Sequence, residues 1–401
     1  MPVHPVVKAD AYGHGVLPVA RALAAAGADG FCVATFDEAV ELRSSGIDAP
    51  ILVLYPIPPA LLGQARGLGI AVTAGDHELL AAVVAAARAA PDAASGAPSG
   101  SPDATVASQD ARSGAAVVAV HLEVETGLGR GGFPVTEVVA AARSIDGSPG
   151  VRLAGLWTHL QAAEDAARTT AQLARFEDAA AALARAGVRL PPRHLAASGG
   201  LLVDGVASFD AVRPGLAIYG ITPEELGLAD GAAGLRPVLS LHARPVRVAD
   251  LPAGWGISYG PSFTTSRPSR IATLPLGYGD GWPRSLSNRA EALVRGRRVP
   301  LVGNVAMDAV MADVTDVPGP PVTQADEFVL IGTQGSERIT AVDVARARRT
   351  NSWEVVTALS ARLPRVYHAA SVPRELRTVA GHHQAGDPSS DEAIGRRSTR
   401  P

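Results

Sequence analysis

The stretch GFCVATFDEAVELRSSGIDAPILVLY, residues 30–55, carries one full turn of the pattern that decides the fold. A β-prone run, Gly30–Ala34, leads into a helical run, Phe36–Ser44. Gly46 follows, a residue suited to a left-handed helix C-cap, and then a second β-prone run, Ile51–Tyr55. The same unit recurs outward in both directions. Further strand candidates are Pro5–Lys8, Ala71–Thr73, Ala116–Val124, Leu153–Trp157, Arg193–Ala196 and Phe209–Val212. Helical runs such as Leu17–Ala26, Leu79–Ala89 and Ala166–Ala186 lie between most of them, with Gly27 and Gly187 at helix ends. Strand and helix alternating eight times imply an α/β fold, a (β/α)8 TIM-type barrel over residues 1–225, rather than an open sheet. Residues 91–114, rich in Ala, Ser, Gly, Pro and Asp without periodicity, read as a disordered surface insertion. From about residue 235 the pattern changes to β-prone runs between Gly/Pro turns: Leu239–Val248, Arg270–Pro275, Ala292–Val294, Val310–Val314 and Phe328–Ile331, with a last helical run at Ser352–Ser360. A smaller, mainly β C-terminal domain is therefore expected over 235–380, and a disordered tail over 381–401.

Bulk composition narrows the function classes. The 401 residues, 47% of them hydrophobic, suffice for two cores. A net charge of -3 with 4% aromatics argues against a nucleic-acid partner. Cys32 is the single cysteine, so no intrachain disulfide can form and a reducing compartment is the simplest assignment. No basic segment followed by an apolar run opens the chain, and no apolar stretch is long enough to span a bilayer. A soluble cytoplasmic protein without a membrane partner is expected.

Barrel active sites collect at the C-terminal ends of the strands. Lys8 stands there on the first strand, in Val6-Val7-Lys8-Ala9-Asp10-Ala11-Tyr12-Gly13-His14-Gly15. Partial burial there would lower its pKa and free its amine as a nucleophile; a solvated strand-end lysine is the plainer alternative. Arg130, Thr158, His159, Ser198, Gly199, Gly200 and Arg213 follow other strands in the same manner. Singly, His159 fits a structural histidine and Ser198 a helix N-cap. Together these residues assemble an amine, two guanidiniums, an imidazole and a small-residue anion cradle. His14, His159 and His194 have no metal-ligand spacing, so no metal is expected.

The segment Val6–Gly15 resembles the cofactor-lysine motif of the alanine racemases. The likeness continues through Gly127-Leu128-Gly129-Arg130, Thr158-His159, the run from Arg213 to Gly220, Ser258-Tyr259-Gly260, Gly277-Tyr278-Gly279-Asp280-Gly281 and Met307-Asp308. The resemblance implies a homodimer of barrel plus β domain, with each active site shared across the interface. It implies that pyridoxal 5'-phosphate is held by Lys8, with Tyr12, Ser198, Gly215 and Leu216 on the phosphate and Arg213 facing the pyridine nitrogen. A fixed cation at that nitrogen keeps it unprotonated and discourages side reactions. The implied reaction is the interconversion of L- and D-alanine, supplying D-alanine for peptidoglycan, with Lys8 and Tyr259 of a second copy as the two bases. His159, polarised by Arg213, would support Tyr259. Arg130 and the Met307 N–H would bind the substrate carboxylate, a group that suits a guanidinium's paired donors. Tyr278 would narrow the entrance, and Asp308 belongs to the same mouth without an assigned role.

Three departures from the family stand out. Only seven residues precede Lys8, fewer than family members carry, which implies an upstream start or a truncated product. Glu123 stands where many members have a carbamylated lysine, and would orient Arg130 without modification. Ala197 and Ala361 stand where members carry an asparagine and a phosphate-binding tyrosine, which would weaken cofactor binding. The alternatives are a racemase of broader or serine specificity, or an impaired homologue that binds the cofactor without turnover.

Overall fold

The computed structural model describes residues 1–89, 117–227, 234–369 and 371–384; the expected insertion at 91–114 and the tail beyond 384 lie outside the described residues. Six parallel strands run side by side in chain order: β1 (Phe31–Val33), β2 (Ile51–Val53), β3 (Ile70–Ala74), β4 (Val118–Glu123), β5 (Val151–Trp157) and β6 (Arg193–His194). Residues 3–7 and 210–212 close the ring. Val6 bridges Cys32, His194 bridges Ala211 and Val3 bridges Val212, each in parallel sense. The ladder is continued by Val7 N donating to Cys32 O, Asp210 N to Arg193 O and His4 N to Val212 O, all at 2.9 Å. The barrel thus has its eight staves, two of them joined to each neighbour by one isolated bridge rather than a continuous ladder. Strands β1 and β2 are buried at every residue, as a parallel sheet covered on both faces requires. Helices follow the strands, among them α1 (Val16–Ala25), α2 (Phe36–Ser44), α3 (Leu62–Gly67), α4 (His77–Ala89), α5 (Val138–Asp146), α6 (Ala166–Arg185) and the short α7 (Ser198–Leu202).

The chain divides into two compact units. The first comprises Met1–Ala11, Val19–Ile218 and Glu225–Gly227; the second comprises Tyr12–Pro18, Tyr219–Glu224 and the described part of Leu228–Pro401. Two short segments that lie inside the barrel sequence, 12–18 and 219–224, thus belong with the β unit. Arg365 Nε donates to Gly13 O at 2.9 Å, and Glu224 accepts from both the backbone N and the hydroxyl of Ser352 at 2.8 Å.

The second unit is built on a sheet of order β14-β13-β10-β11-β12-β9-β8, with β7 paired to β13. Its strands are β7 (Leu241–Ala243), β8 (Arg247–Leu251), β9 (Ser269–Leu274), β10 (Glu291–Val294), β11 (Arg297–Val302), β12 (Val310–Asp313), β13 (Phe328–Gln334) and β14 (Glu337–Ile339). The run expected as one strand at Leu239–Val248 is two, broken around Pro245, which has no N–H for a ladder. β7 pairs with β13 and β8 with β9. The β10–β11 hairpin turns on Arg295 and Gly296 with φ of 50° and 69°, the doubly left-handed geometry of a tight hairpin. A second sheet joins β15 (Arg365–Ala369), β16 (Val372–Thr378) and β17 (Gly381–Gln384). Order therefore extends into the first residues of the expected tail. No helix among the described residues is long and apolar enough to cross a membrane.

Candidate active site

Lys8 leaves the first barrel strand where the backbone reverses its hand. Ala9, Asp10, Ala11 and Tyr12 all have φ of 52–53°, a turn of left-handed helix built without glycine. Each such residue costs about 1–2 kcal/mol, so the turn must be held from outside itself. Glu38 on α2 supplies part of that hold. One carboxylate oxygen accepts from Ala9 N at 2.6 Å, while the other accepts from Ala34 N at 2.8 Å and Thr35 N at 3.0 Å. Ala11 N also donates back to Val7 O at 2.9 Å. The half-buried Lys8 amine is held below the ordinary lysine range by burial and then by the Arg130 charge, with Glu38 and Cys32 pulling the other way. Such an amine is available for nucleophilic attack nearer neutral pH than a solvated lysine.

The β4 end brings together two further expected residues. Glu123 is buried, and its carboxylate lies 3.6 Å from an Arg130 guanidinium nitrogen, an ion pair rather than a direct hydrogen bond. Burial raises the Glu123 carboxyl above the usual carboxylate range, and Arg130 partly offsets this. The guanidinium also lies 5.6 Å from the centre of the Tyr55 ring. His159 follows β5, and Gln172 on α6 donates to its carbonyl at 3.1 Å and to Thr126 Oγ1 at 3.0 Å. Its imidazole is pushed down to about 3 by burial, then by Arg213, Arg130 and Lys8, so it is neutral across the physiological range.

Arg213 is fully enclosed in the barrel. It donates to the carbonyls of His194 at 2.9 Å and Thr158 at 2.8 Å, contacts His194 Nδ1, and lies 4.8 Å from the centre of the Trp157 ring. Burial lowers it to about 10, which leaves it a cation at neutral pH. Ser198 opens α7, one place past the N-cap position, which Ala197 fills without a side-chain hydrogen bond. The Ser198 hydroxyl accepts from Gly215 N at 2.9 Å and Ala217 N at 3.1 Å, so the serine meets the turn at Gly215 and Leu216. Lys8, Glu123, Arg130, His159, Ser198, Arg213, Gly215 and Leu216 all belong to the barrel unit.

Tyr12, Tyr259, Tyr278, Met307 and Asp308 belong to the second unit. The Tyr12 side chain is buried with its ring 5.0 Å from that of Tyr219. Tyr278 and Met307 sit on abutting loops: Tyr278 N donates to Ala306 O at 3.0 Å and Gly279 N to Met307 O at 2.9 Å. A Cβ on Gly277 would come within 2.2 Å of Ala306 O, which explains a glycine there. Arg362 ties the same loops together, donating to Asp280 at 2.8 Å and Asp308 at 2.7 Å. This gives Asp308 a role, as an anchor for the loop carrying Met307. Tyr259 is 77% exposed, on a turn whose carbonyls at Tyr259 and Gly260 both accept from Asn304 Nδ2 at 2.9 Å. Glu38, Gln172 and Arg362 carry weight that the sequence alone does not signal, because their partners are distant in the chain. Only Glu38 had a local cue, three residues after Thr35 in a capping box.

The family model for the alanine racemase N-terminal domain matches residues 1–223, and that for the C-terminal domain matches residues 238–367. The chain belongs to the alanine racemase family. It is an enzyme, an isomerase acting on amino acids. An alanine racemase of Symbiobacterium thermophilum is 43% identical, covering 90% of this chain and 89% of the relative. Among solved structures, alanine racemase from Bacillus anthracis with bound L-Ala-P is similar at a TM-score of 0.81 and 32% identity, covering 95% of this chain and 92% of that one. Alanine racemase from Streptomyces coelicolor A3(2) is similar at a TM-score of 0.78 and 35% identity, with 91% of each chain covered. The alanine racemase likeness spans both units.

Proposed function

We propose that the chain interconverts L- and D-alanine with pyridoxal 5'-phosphate as cofactor, using Lys8 of one copy and Tyr259 of a second copy as its two bases. The observation that carries this is the Lys8 amine: half-buried at the barrel mouth, depressed by burial and Arg130, and set on a strained turn clamped by Glu38. The residues fit the cofactor's chemistry. An activated amine suits its aldehyde, the Ser198 hydroxyl against the Gly215 and Ala217 N–H groups suits its phosphate, and an enclosed cation at Arg213 suits an unprotonated ring nitrogen.

When bound, pyridoxal phosphate draws electrons from the substrate nitrogen and so acidifies the Cα–H bond. The protein's residues do the rest. Lys8 holds the cofactor covalently between turnovers and moves a proton at its Nζ on one face of Cα. Tyr259, whose exposure leaves it free to enter a neighbouring copy, moves a proton at its phenolic oxygen on the other face. The neutral His159 ring donates its N–H to the phenolate oxygen and so helps keep the phenolate accessible. Tyr12, Ser198, Gly215 and Leu216 bind the phosphate. Arg130, oriented by Glu123, binds the substrate carboxylate together with the Met307 N–H, and Tyr278 limits the side chain to a small one. A homodimer with shared sites, working in the cytoplasm to supply D-alanine for peptidoglycan, completes the scheme.

The test uses the purified protein and its Lys8→Ala and Tyr259→Phe variants. The wild type should be yellow with the lysine-bound cofactor and should racemise both enantiomers. Lys8→Ala should lose both colour and turnover, and Tyr259→Phe should keep the colour and lose turnover. Racemisation that survives in Lys8→Ala overturns the scheme.

A further inference from the structure

Two histidines behind Arg213 have no part in the scheme above. His121 lies on β4 and His194 on β6, with β5 between them. Strands two places apart in a sheet are separated by about 9–10 Å, too far for ring-to-ring contact over an ordinary side chain. Nevertheless His121 Nδ1 lies 3.0 Å from His194 Nε2. The intervening strand makes this possible at Gly155. A Cβ there would fall 2.1 Å from His121 Nδ1 and 2.5 Å from its Cε1, so the imidazole occupies the space that any other residue's side chain would need. The β4–β5 register slips between Val120 and His121, which sets His121 opposite Gly155. No positive φ demands this glycine; the histidine does.

The ring contacts define a direction. A guanidinium has only donors, so the Arg213 contact makes Nδ1 of His194 the lone-pair nitrogen. The hydrogen of His194 then sits on Nε2 and donates to His121 Nδ1, which in turn places the His121 hydrogen on its own Nε2. The donors run one way, from Arg213 to His194 to His121. Trp157 covers the relay, its ring 4° from parallel with His194 at 6.2 Å. Both imidazoles are neutral: burial, the neighbouring histidines and the Arg213 charge push His121 down to about 3 and His194 well below its ordinary value.

We propose that His121 is a positioning residue that accepts the Nε2–H of His194, holds that ring in place and, through it, keeps the Arg213 guanidinium in one orientation facing the cofactor ring. The role of Arg213 toward that ring rests on the proposed function above; the tautomer relay does not. Without an acceptor at His121, the Nε2–H of His194 is buried and unsatisfied. The ring relieves this by rotating toward another acceptor, which takes its Nδ1 off the Arg213 N–H and frees the guanidinium to shift.

The test is two-bond proton–nitrogen NMR on the loaded enzyme and on cofactor-free protein labelled with 15N-histidine, comparing wild type with three variants. His121→Leu removes the acceptor, Gly155→Ala pushes the ring aside, and His121→Asn keeps an oxygen near the Nδ1 position. Wild type should show His194 with its lone pair on Nδ1 and its hydrogen on Nε2. His121→Leu and Gly155→Ala should show a shifted His194 Nε2 signal whose proton exchanges faster with water, an altered absorbance of the bound cofactor, and a kcat about tenfold lower with the KM for alanine little changed. His121→Asn should keep the wild-type Nε2 signal and most of the kcat. Should His121→Leu not fold, Gly155→Ala and His121→Asn still decide the matter. An unchanged His194 Nε2 signal in Gly155→Ala, or a loss in His121→Asn as large as in His121→Leu, overturns the inference. A protein that shows the relay but neither binds pyridoxal phosphate nor racemises alanine overturns the functional reading instead.

Discussion

Replacing Glu123 with glutamine tests whether an unmodified carboxylate orients Arg130, the arginine proposed to bind substrate. Glu123→Gln preserves shape and removes one charge from a buried position 3.6 Å from Arg130. At an effective dielectric of about 20 the gross attraction over that distance is roughly 5 kcal/mol. Most of this is not realised. The Arg130 side chain is 40% exposed, so water screens it, and the burial that raises the Glu123 carboxyl works against its charge. A net loss of about 1 kcal/mol remains, which is about a fivefold rise in KM. Because Arg130 is assigned to carboxylate binding in ground and transition states alike, kcat should change little. The assay is steady-state racemisation in both directions, and KM should rise for L- and D-alanine together. Acid should mimic the substitution. Glu123 protonates at a higher pH than an exposed carboxylate, so as pH falls through that raised value the wild-type KM should climb while the variant's stays flat. An unchanged KM in Glu123→Gln, or a wild-type KM with no such pH dependence, refutes the orienting role.

Three further outcomes are expected. The lowered Lys8 pKa means that the neutral amine, fully present only above that value, persists to lower pH than in a solvated lysine; the rate at which cofactor-free protein takes up pyridoxal phosphate should therefore rise with a midpoint below that of a free lysine side chain. Ala197→Asn restores a side-chain cap to α7, where none exists, and should stabilise the Ser198 turn by about 1 kcal/mol, seen as slower loss of cofactor on dialysis. Arg362→Ala leaves the buried Asp280 with the Gly277 N–H but without its guanidinium partner, and should lower the melting temperature while raising the KM for alanine, because the Tyr278 and Met307 loops lose one of their ties.

Much of the barrel was legible because its strands and helices are local patterns. A buried parallel strand is a short apolar run wherever it falls: Phe31–Val33 and Ile51–Val53 sit inside the runs that announced them, and Val151–Trp157 starts two residues before its expected run at Leu153–Trp157. The β unit was less legible. The β10–β11 hairpin turns on Arg295-Gly296 rather than on the Asn-Gly or Asp-Gly pair that marks such turns, so β11 left no local signal. The division at Pro245 was there to be read, since a proline inside a strand removes a ladder donor.

For the site, the residues that follow the barrel strands suggested an amine, two guanidiniums, an imidazole and a small-residue anion cradle, while Tyr259 was offered only by the resemblance to the alanine racemases. How those groups are held was decided only in three dimensions. No propensity marks Ala9-Asp10-Ala11-Tyr12 as left-handed; four strained residues persist there because a carboxylate from α2 and the strand before them constrain the turn. Gly155 reads as an ordinary weak point in a strand until the His121 ring is seen in its place. Lys8 could be singled out as a candidate reactive amine from its neighbours in sequence. That its amine is depressed by burial and then by Arg130, on a turn clamped through Glu38, depends on contacts between residues 8–9, 38 and 130, which only the closed barrel brings together.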